Sequence, residues 1–258
     1  DRKRPEIVVN FCAQGESAAS FGEHTDWYYR TNTLGLVRFA EELRKRDYLR
    51  RFIQCGTSEV YGSADRPMKE TDPVRPTSPY AISKAAFDMH LQVMHRVHGF
   101  PCNVLRPSNA YCPGQQIHRI IPRTIICALS GKKLQLHGGG SARKSYIDAG
   151  DLSTAIMAVI ENGAAGTVYN CGPEHPTRIV DLVTTVAIMC GKRLSDVAEV
   201  GAARIGEDSR YWLDSSAIHR DTGWFPAVPI GDGIKRMIDW VRAHPEIMSM
   251  DPTYRISA

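Results

Sequence analysis

The 258-residue chain has no C-x-x-C pair, no dense basic cluster, and no run approaching the ~20 apolar residues of a membrane span. Its seven scattered cysteines argue against a disulfide framework or a zinc site and favour a reducing compartment. Since no signal-peptide pattern is present either, we expect a cytoplasmic protein with no membrane partner. A net charge of +4 without a basic stripe also disfavours nucleic acid as a partner.

What the sequence does contain is an alternation of buried-strand and helical patterns. Short apolar runs typical of strands covered on both faces occur at 6–13, 51–58 and 102–111. Apolar residues at helical spacing follow around 34–43 and over 81–98, where Gly99 is a stop signal. This order predicts an α/β fold with a doubly wound parallel sheet, whose ligands bind at the carboxyl ends of the strands. The strand exits CAQGES, GTSEVYG and RPSNAY are all polar, so we expect the site there.

Beyond Pro122 the predicted elements become shorter. The pattern predicts a strand, a Gly-rich turn and a strand over 133–152, a strand at 167–173, and helices over about 178–190 and 231–244. Thr177 is the expected cap of the first of these helices. We interpret these elements as a smaller α/β lobe that covers the carboxyl edge of the sheet.

Tyr80 and Lys84 lie four residues apart at the start of the long predicted helix. Four residues are about one helical turn, so the two side chains share a face and can converge on one region. A free tyrosine, with a pKa of about 10, is a poor base at neutral pH, and a nearby ammonium favours its phenolate. Lowering that pKa by ~3 units requires ~4 kcal/mol, which two cations in a site that excludes water can supply. The spacing alone can also arise by chance.

Thr57 ends its predicted strand before this helix, where its hydroxyl can hydrogen-bond a substrate oxygen. Thr57, Tyr80 and Lys84, in this order and spacing, resemble the pattern of a short-chain dehydrogenase/reductase. The segments TSEVYG, SPYAISK, LRPSNAYCPGQ and LDSSAIHRDTGW are similar to the extended branch of that superfamily, which acts on nucleotide-diphosphate sugars. The resemblance implies a Rossmann-like NAD-binding domain, of which residues 1–122 are the remainder and to which later segments can return. Residues 123–258 would mainly bind the nucleotide sugar.

The resemblance also implies residue roles. Tyr80 would take the proton of the sugar 4-hydroxyl, Lys84 would hold the nicotinamide ribose and lower the pKa of Tyr80, and Thr57 would hydrogen-bond the 4-oxygen. Further contacts to NAD are implied at Ala13, Gln14, Asn32 and Pro107. Contacts to the substrate nucleotide or diphosphate are implied at Asn109, Arg143 and Arg210. A planar guanidinium suits a diphosphate, although a surface salt bridge is the alternative for each arginine.

The two residues after Thr57 bear on the reaction. A 4-epimerase needs only the hydroxyl, the tyrosine and the lysine, since it takes a hydride and returns it. In the branch that resembles sugar 4,6-dehydratases, a carboxylate removes the C5 proton while an acid protonates the departing 6-hydroxyl. Glu59 has the position of that base, whereas Ser58 stands where deoxythymidine-type dehydratases carry an aspartic acid and could only relay a proton or orient a water. The segment PTSPYAISKAAFD favours dehydration, with a 4-epimerase and a UDP-glucuronate decarboxylase as alternatives.

The chain departs from the family pattern in several places. Gly15-Glu16 replaces a common Ser-His pair, so a polar sugar contact is missing or replaced, and Cys112 replaces a common glycine. The G-x-x-G-x-x-G loop that binds the NAD pyrophosphate does not occur in this sequence. We expect the natural protein to contain this loop and roughly the first two or three strands of the sheet. A shortened, non-catalytic nucleotide-binding relative is the alternative, and the joint presence of the reactive residues argues against it.

The resemblance finally implies a homodimer. In many relatives the helices that start near Thr31 and Tyr80 form a four-helix bundle between two subunits. Apolar surface for such a bundle could come from Leu34, Val37, Phe87, Leu91 and Met94. The alternative is that these side chains face their own sheet.

Overall fold

The computed structural model describes residues 3–202 and 208–252. Its strands are β1 (Ile7–Asn10), β2 (Arg51–Cys55), β3 (Cys102–Pro107), β4 (Asn109–Tyr111), β5 (Leu134–His137), β6 (Arg143–Lys144), β7 (Tyr146–Asp148), β8 (Val168–Cys171), β9 (Thr177–Arg178) and β10 (Ala198–Gly201). Its α-helices are α1 (Thr25–Tyr29), α2 (Leu36–Arg44), α3 (Pro79–His98), α4 (Ile120–Ser130), α5 (Ala149–Asn162), α6 (Ile179–Met189), α7 (Leu194–Val197), α8 (Ser216–Thr222) and α9 (Ile230–Ala243). Short 3-10 turns lie at Ala18–Ser20, Ser58–Tyr61, Gly138–Gly140 and Pro245–Ser249, and a π-helical turn, Arg30–Gly35, joins α1 to α2.

The central sheet has the strand order β1-β2-β3-β8, and all of these strands run parallel. Parallel neighbours need crossover connections, which α2 and α3 supply here. These two helices cover one face of the sheet, with a core of Leu36, Leu43, Phe52, Phe87, Leu91 and Met94. Helices α5 and α8 cover the other face, with a core of Ile53, Leu105, Leu152, Ile156, Val159 and Ile218. The predicted α/β, doubly wound fold class is therefore confirmed.

The remaining helices pack around a second apolar core. Helices α4, α6 and α9 share a cluster that includes Ile121, Ile125, Leu182, Val186, Ile234 and Met237. The strand pairs β4–β7, β5–β10 and β6–β9 lie outside the central sheet. Strand β8 lies in the part of the sequence interpreted mainly as the smaller lobe, and it is one of the later segments that return to the first domain, since it pairs with β3 in the register Val104 to Val168. Its buried side chains and the covering helix α5 thus return the chain to the central sheet.

Two local predictions were wrong, and a third was right. The predicted strand at 102–111 is interrupted at Ser108, because β3 pairs with β8 up to Pro107 whereas β4 pairs with β7. The strand, Gly-rich turn and strand predicted within 133–152 are present, and the last strand ends at Asp148, whose side chain accepts a hydrogen bond from the Gly150 amide at the start of α5. Thr177 does not cap α6, because it is held in the antiparallel pair β6–β9. The helix begins at Ile179, and Arg178 is its N-cap residue.

Helix α3 presents two apolar stripes, and the three of its residues named as possible subunit surface follow the stated alternative, since they face their own sheet. Phe87, Leu91 and Met94 are at most 2% exposed and pack on the sheet of their own chain. A second stripe, at similar helical spacing, faces outward and consists of Ile82, Met89, Val93 and Val97. Because both stripes repeat at three or four residues, periodicity alone could not assign them.

A buried ion pair joins α3 to the centre of the sheet. Arg106 of β3 and Asp88 of α3 are 2% and 0% exposed, and the Arg106 Nε lies 3.1 Å from the Asp88 carboxylate. Arg106 also donates to the Tyr61 hydroxyl at 2.8 Å, and that hydroxyl donates to Asn170 of β8 at 2.9 Å. This network connects α3, the turn that follows β2, and two strands. A buried charge left without its partner is costly, so the network holds these elements in one arrangement.

No helix within residues 3–202 and 208–252 combines the length and hydropathy that crossing a membrane requires. The seven cysteines, all of which lie in these ranges, are free thiols. Three of them, Cys102, Cys127 and Cys171, are buried in the cores. These buried cysteines pack in the cores as small apolar side chains do.

The ion pair predicts a large loss of stability on substitution. Arg106→Leu would leave the Asp88 carboxylate buried without its partner, so we expect the free energy of unfolding to fall by about 3–5 kcal/mol. Urea denaturation followed by circular dichroism measures this change. The control is Arg220→Leu, which removes a guanidinium from an exposed pair with Asp221 and is expected to cost at most about 1 kcal/mol. Equal losses in the two variants would contradict the central role of the buried pair.

Candidate active site

A cavity of about 760 Å³ lies at the carboxyl edge of the sheet, between the sheet and the second core. The first three strands contribute the residues that end or follow them, namely Phe11, Gly56, Thr57 and Pro107. The facing wall includes Asn109, Lys144, Tyr146 and Ile179. The polar strand exits recognised in the sequence therefore meet at one cavity, as expected for a parallel sheet.

Thr57 is positioned by the close packing at the end of β2. Gly56 lies so near β3 that an added Cβ would approach a carbonyl oxygen of that strand to 3.0 Å. Thr57 is extended and caps the 3-10 turn 58–61, where its Oγ1 accepts a hydrogen bond from the Glu59 amide at 3.3 Å. The Thr57 side chain is also hydrogen-bonded to Tyr80. The turn places Glu59 in the cavity wall close to both groups.

Tyr80 and Lys84 both lie in the first two turns of α3, but they have different partners. The Lys84 ammonium is buried and donates to the Cys55 carbonyl oxygen at 2.7 Å, and burial lowers the pKa of Lys84. Burial raises the pKa of Tyr80, and the negative charge of Glu59 raises it further, while the hydrogen bond from Thr57 opposes the shift. The expected lowering of the pKa of Tyr80 is therefore not found in this structure. An additional positive charge is needed before the phenolate forms readily.

Glu59 belongs to a cluster of polar groups that the sequence did not reveal. Burial raises the pKa of Glu59, whereas the charge of Lys144 and a hydrogen bond from Ser17 lower it. The Lys144 ammonium donates to the Asp208 carbonyl oxygen at 2.8 Å and lies 3.5 Å from the centre of the Tyr211 ring. Tyr211 is hydrogen-bonded to the carboxylates of Glu59 and Asp208. The cluster holds the Glu59 carboxyl group in the cavity wall, where Tyr211 can exchange a proton with it.

Of the residues predicted to contact the cofactor, Ala13 and Gln14 lie in the loop that follows β1, and Asn32 lies in the π-helical turn before α2. Asn32 is fully buried, and its Nδ2 donates to the Gln14 carbonyl and to Ser83 Oγ, both at 3.0 Å. Its Oδ1 accepts from the Gln14 amide at 2.7 Å. Asn32 thus fixes the loop to α3 and uses its side-chain amide in doing so. Ala13 is exposed, next to Phe11 of the cavity wall.

Arg143 and Arg210 do not line the cavity, whereas the residue that follows each of them does. The two arginines form a parallel bridge, in which the Tyr211 amide donates to the Arg143 carbonyl at 3.0 Å. Successive residues of an extended chain point to opposite sides, so Lys144 and Tyr211 reach the cavity wall instead. Tyr146, two residues after Lys144, is also in the wall, and this alternation is the signal that could have identified Lys144.

Ser58, Glu16 and Arg119 lie in or near the cavity wall, and the structure resolves the position of each. Ser58 is 3% exposed and is not part of the described cavity wall. Glu16, which stands where the family pattern has a polar sugar contact, and Arg119, which the sequence did not indicate, line the wall and form an ion pair at 3.1 Å. Their pairing depends on the long-range approach of the β1 loop to the segment before α4, which no local pattern encodes.

A Rossmann-like sheet with Thr57, Tyr80 and Lys84 at its carboxyl edge is the framework of a nucleotide-dependent enzyme superfamily. The model of one family, described as the NAD dependent epimerase/dehydratase family, matches residues 1–172. The chain belongs to this family, and the resemblance found in the sequence is confirmed. NAD is the cofactor of the family.

Individual relatives show what the chain is similar to. Over 245 residues it is 31% identical to the trifunctional UDP-glucose 4,6-dehydratase/UDP-4-keto-6-deoxy-D-glucose 3,5-epimerase/UDP-4-keto-L-rhamnose-reductase RHM2 of Arabidopsis thaliana, covering 93% of this chain but only 36% of the relative. It is 33% identical over 252 residues to the dTDP-D-glucose 4,6-dehydratase of Homo sapiens, covering 94% of this chain and 70% of the relative. The structure of DesIV, a dTDP-glucose 4,6-dehydratase from Streptomyces venezuelae with NAD and TYD bound, superposes with a TM-score of 0.88 at 29% identity, over 93% of this chain and 74% of that one.

The environment of Glu59 predicts a pH-dependent stability difference. Because the pKa of Glu59 is raised above its ordinary value of 4.5, the folded state binds this proton more tightly than the unfolded chain. The stability contributed by the proton is complete below that value and is lost as the pH rises through the raised pKa. We therefore expect Glu59→Gln to melt at a higher temperature than the wild type, by an amount that grows from pH 4.5 upwards.

Thermal unfolding at a series of pH values measures this difference. Glu174→Gln is the control, because the Glu174 side chain is 92% exposed. A temperature gap between Glu59→Gln and the wild type that does not change with pH would contradict the assignment.

Proposed function

We propose that this chain carries the active site of an NAD-dependent nucleotide-sugar 4,6-dehydratase, which oxidises C4, eliminates water across C5 and C6, and reduces C6. The observation that carries the proposal is the position of Glu59 in the same cavity wall as Tyr80 and Thr57. A 4-epimerase needs a base for the 4-hydroxyl but no second base. An elimination does need a second base, and Glu59, which is hydrogen-bonded to Tyr211 and lies in the same wall as Tyr80, can serve as that base. The 4,6-dehydratase relatives support the same reaction.

For the cofactor we propose contacts from Ala13, Gln14, Tyr80, Lys84 and Pro107, with Asn32 acting through Gln14. When bound, NAD supplies a hydride acceptor and a positive charge next to Tyr80. The fit is supported by the exposed loop after β1 and by the position of Lys84 at the exit of β2. An ammonium has three donors, and the bond to Cys55 uses one of them.

The proton transfers can be assigned to groups in the cavity wall. Tyr80 takes the proton of the 4-hydroxyl, and Thr57 donates a hydrogen bond to the same oxygen. The C4 ketone makes the C5 proton acidic, and Glu59 removes it. The Glu59–Tyr211 pair then returns a proton to the 6-hydroxyl, the C6–O bond breaks, and water leaves. Ser58 has only an indirect role in this scheme, since it lies behind the wall.

For the substrate diphosphate we propose Asn109 and Lys144, which both line the cavity. Lys144 supplies a positive charge, and the Asn109 amide can donate a hydrogen bond. The roles proposed for Arg143 and Arg210 require a nucleotide that extends past the wall to the other side of their strands.

The reaction can be tested by product mass. Incubation of the whole protein with NAD and a panel of UDP-, GDP-, CDP- and dTDP-hexoses is expected to remove one water from one of them. Deuterium placed on C4 of that sugar should be recovered on C6. Unchanged mass with an inverted C4 would favour a 4-epimerase, and loss of carbon dioxide from the matching glucuronate would favour a decarboxylase. Absence of NAD binding would favour the non-catalytic alternative.

Two substitutions separate the proposed steps. Tyr80→Phe and Glu59→Gln are each expected to lower dehydration by a factor on the order of 10²–10⁴, the usual effect of a general acid–base group. Tyr48→Phe and Glu174→Gln are the matched controls, since neither residue lines the cavity. Water loss by Glu59→Gln at the wild-type rate would exclude Glu59 as the C5 base.

We also propose the cytoplasm as the compartment. The seven cysteines are free thiols, and thiols persist in reducing compartments. Burial raises the pKa of Cys102 to about 11, so this thiol stays protonated and unreactive at neutral pH.

We propose a homodimer that forms through α2 and α3. Large apolar side chains that face outward on these helices and on the turn before α2 are Leu34, Phe39, Ile82, Met89, Val93 and Val97, each more than 40% exposed. A contiguous apolar surface of this kind is a usual site of subunit contact. In a four-helix bundle these side chains would pack against their symmetry-related copies.

The dimer predicts that a charge within the stripe weakens association. Val93→Glu would bury a carboxylate in the interface, so we expect the dissociation constant to rise by a factor on the order of 10² or more. Sedimentation equilibrium measures the change. Val200→Glu on β10 is the control, because Val200 is 79% exposed and lies away from the stripe. A monomeric wild type, or a dimer that Val93→Glu leaves unchanged, would contradict this assembly.

A further inference from the structure

Arg123 brings to the cavity wall a guanidinium group that no carboxylate of the described residues neutralises. It is the fourth residue of α4, it is partly buried, and it lines the cavity. Its backbone amide donates to the Arg119 carbonyl at 2.9 Å, as in a regular helix. Its side chain makes no hydrogen bond and no ion pair with any residue that the structure describes. The five donors of this guanidinium are therefore available to a ligand.

The other two cationic side chains of the described wall are close to carboxyl groups. Arg119 lies 3.1 Å from the Glu16 carboxylate. Burial raises the pKa of Glu59 and the charge of Lys144 lowers it, so Lys144 and Glu59 are neighbours. Glu16 and Glu59 are the two acidic residues in the part of the wall that the structure describes. Arg123 is thus the cation that remains without a counter-charge there.

The start of α4 adds positive potential beside Arg123. The helix opens in the cavity wall with Ile120 and Ile121, and its first turn contains no acidic side chain. The positive end of its dipole is therefore not offset within the helix. Burial and the charges of Arg119 and Arg123 lower the pKa of His118, so this ring is mainly neutral at neutral pH. The favourable ligand for this part of the wall is an anion.

Arg123 lies one step away from the acid–base groups of the cavity. After burial, the charges of Asp208 and Glu16 raise the pKa of Glu59, so Glu16 lies near the end of the cavity where the sugar is proposed to react. Glu16 pairs with Arg119, and Arg123 follows Arg119 by about one helical turn, a rise of about 5.4 Å. The diphosphate of a nucleotide sugar is attached directly to the sugar ring. A sugar beside Glu59 would therefore bring its diphosphate towards this turn of α4.

We propose that Arg123 binds the substrate diphosphate and supplies the positive charge that the other wall residues do not leave free. The inference rests on the proposed function for the end of the cavity that holds the sugar. A guanidinium can donate two parallel hydrogen bonds to non-bridging phosphate oxygens. Arg123 would complete the contacts proposed for Asn109 and Lys144, since the charge of Lys144 is shared with Glu59.

The test measures diphosphate binding apart from the sugar chemistry. Calorimetric titration of the whole protein with NAD gives dissociation constants for UDP, GDP, CDP and dTDP. Arg123→Met keeps a long side chain and removes the charge, so we expect the dissociation constant of every diphosphate that binds to rise by a factor on the order of 10–10². The order of affinity among the four bases should stay that of the wild type, because all four ligands share the diphosphate.

Two further variants make the outcome decisive. Arg242→Met on α9 is the control, because Arg242 is an exposed helical arginine outside the described cavity wall, and it should keep the wild-type constants. Arg123→Lys retains the charge without the planar fork, so its loss of affinity should be smaller than that of Arg123→Met. Thermal unfolding checks that all three variants are folded.

Three results would overturn the inference. The first is an unchanged affinity for the diphosphates in Arg123→Met. The second is a loss confined to one of the four bases, which would mean that Arg123 contacts the base. The third is a wild type that binds none of the four diphosphates.

The binding assay and the product assay can fail separately. Weaker diphosphate binding by Arg123→Met without water loss by the wild type would overturn the proposed dehydration and leave the role of Arg123 intact. Water loss by the wild type with unchanged diphosphate binding by the variant would do the reverse.

Discussion

The pair of Arg106 and Asp88 is the interaction on which the arrangement of this site depends. It places a salt bridge at the centre of the sheet, with both side chains at most 2% exposed, and connects it through Tyr61 to β8. Asp88 follows Lys84 by one helical turn, and Tyr61 ends the turn that carries Glu59. One buried network therefore aligns the helix that carries Tyr80 with the turn that carries Glu59. A buried ion pair adds little net stability compared with well-packed apolar residues. Here it would instead select one relative position of α3, the turn that follows β2, and the strands β3 and β8.

Two ionisable groups of the cavity wall, Tyr80 and Glu59, both have pKa values raised above their ordinary values. Burial raises the pKa of Tyr80 and the negative charge of Glu59 raises it further, while burial also raises the pKa of Glu59. The proposed role of Tyr80 as a base therefore needs positive charge from elsewhere, because the Lys84 ammonium donates to the Cys55 carbonyl oxygen. In the proposed mechanism, bound NAD would supply that charge.

Much of the fold and part of the candidate site could be predicted from the sequence. The parallel sheet, the helix that ends at Gly99, and the approach of Thr57 to Tyr80 follow from local patterns, because each depends on periodicity or on the exit of a strand. The return of β8 to the sheet and the pairing of Glu16 with Arg119 depend on contacts between distant segments. The two apolar stripes of α3 look alike in the sequence, and only packing distinguishes them.

The register of one short strand pairing has a consequence for how such sites diversify. Lys144 and Tyr211 face the cavity, and each is preceded by an arginine that faces away. Side chains alternate along extended chain, so a shift of one residue in either segment would replace its side chain in the cavity wall with the neighbouring guanidinium. A single-residue insertion or deletion in the loop that precedes one segment is enough to shift that segment. The charge of the cavity wall can therefore change by a small step in a loop, without a substitution in either apolar core.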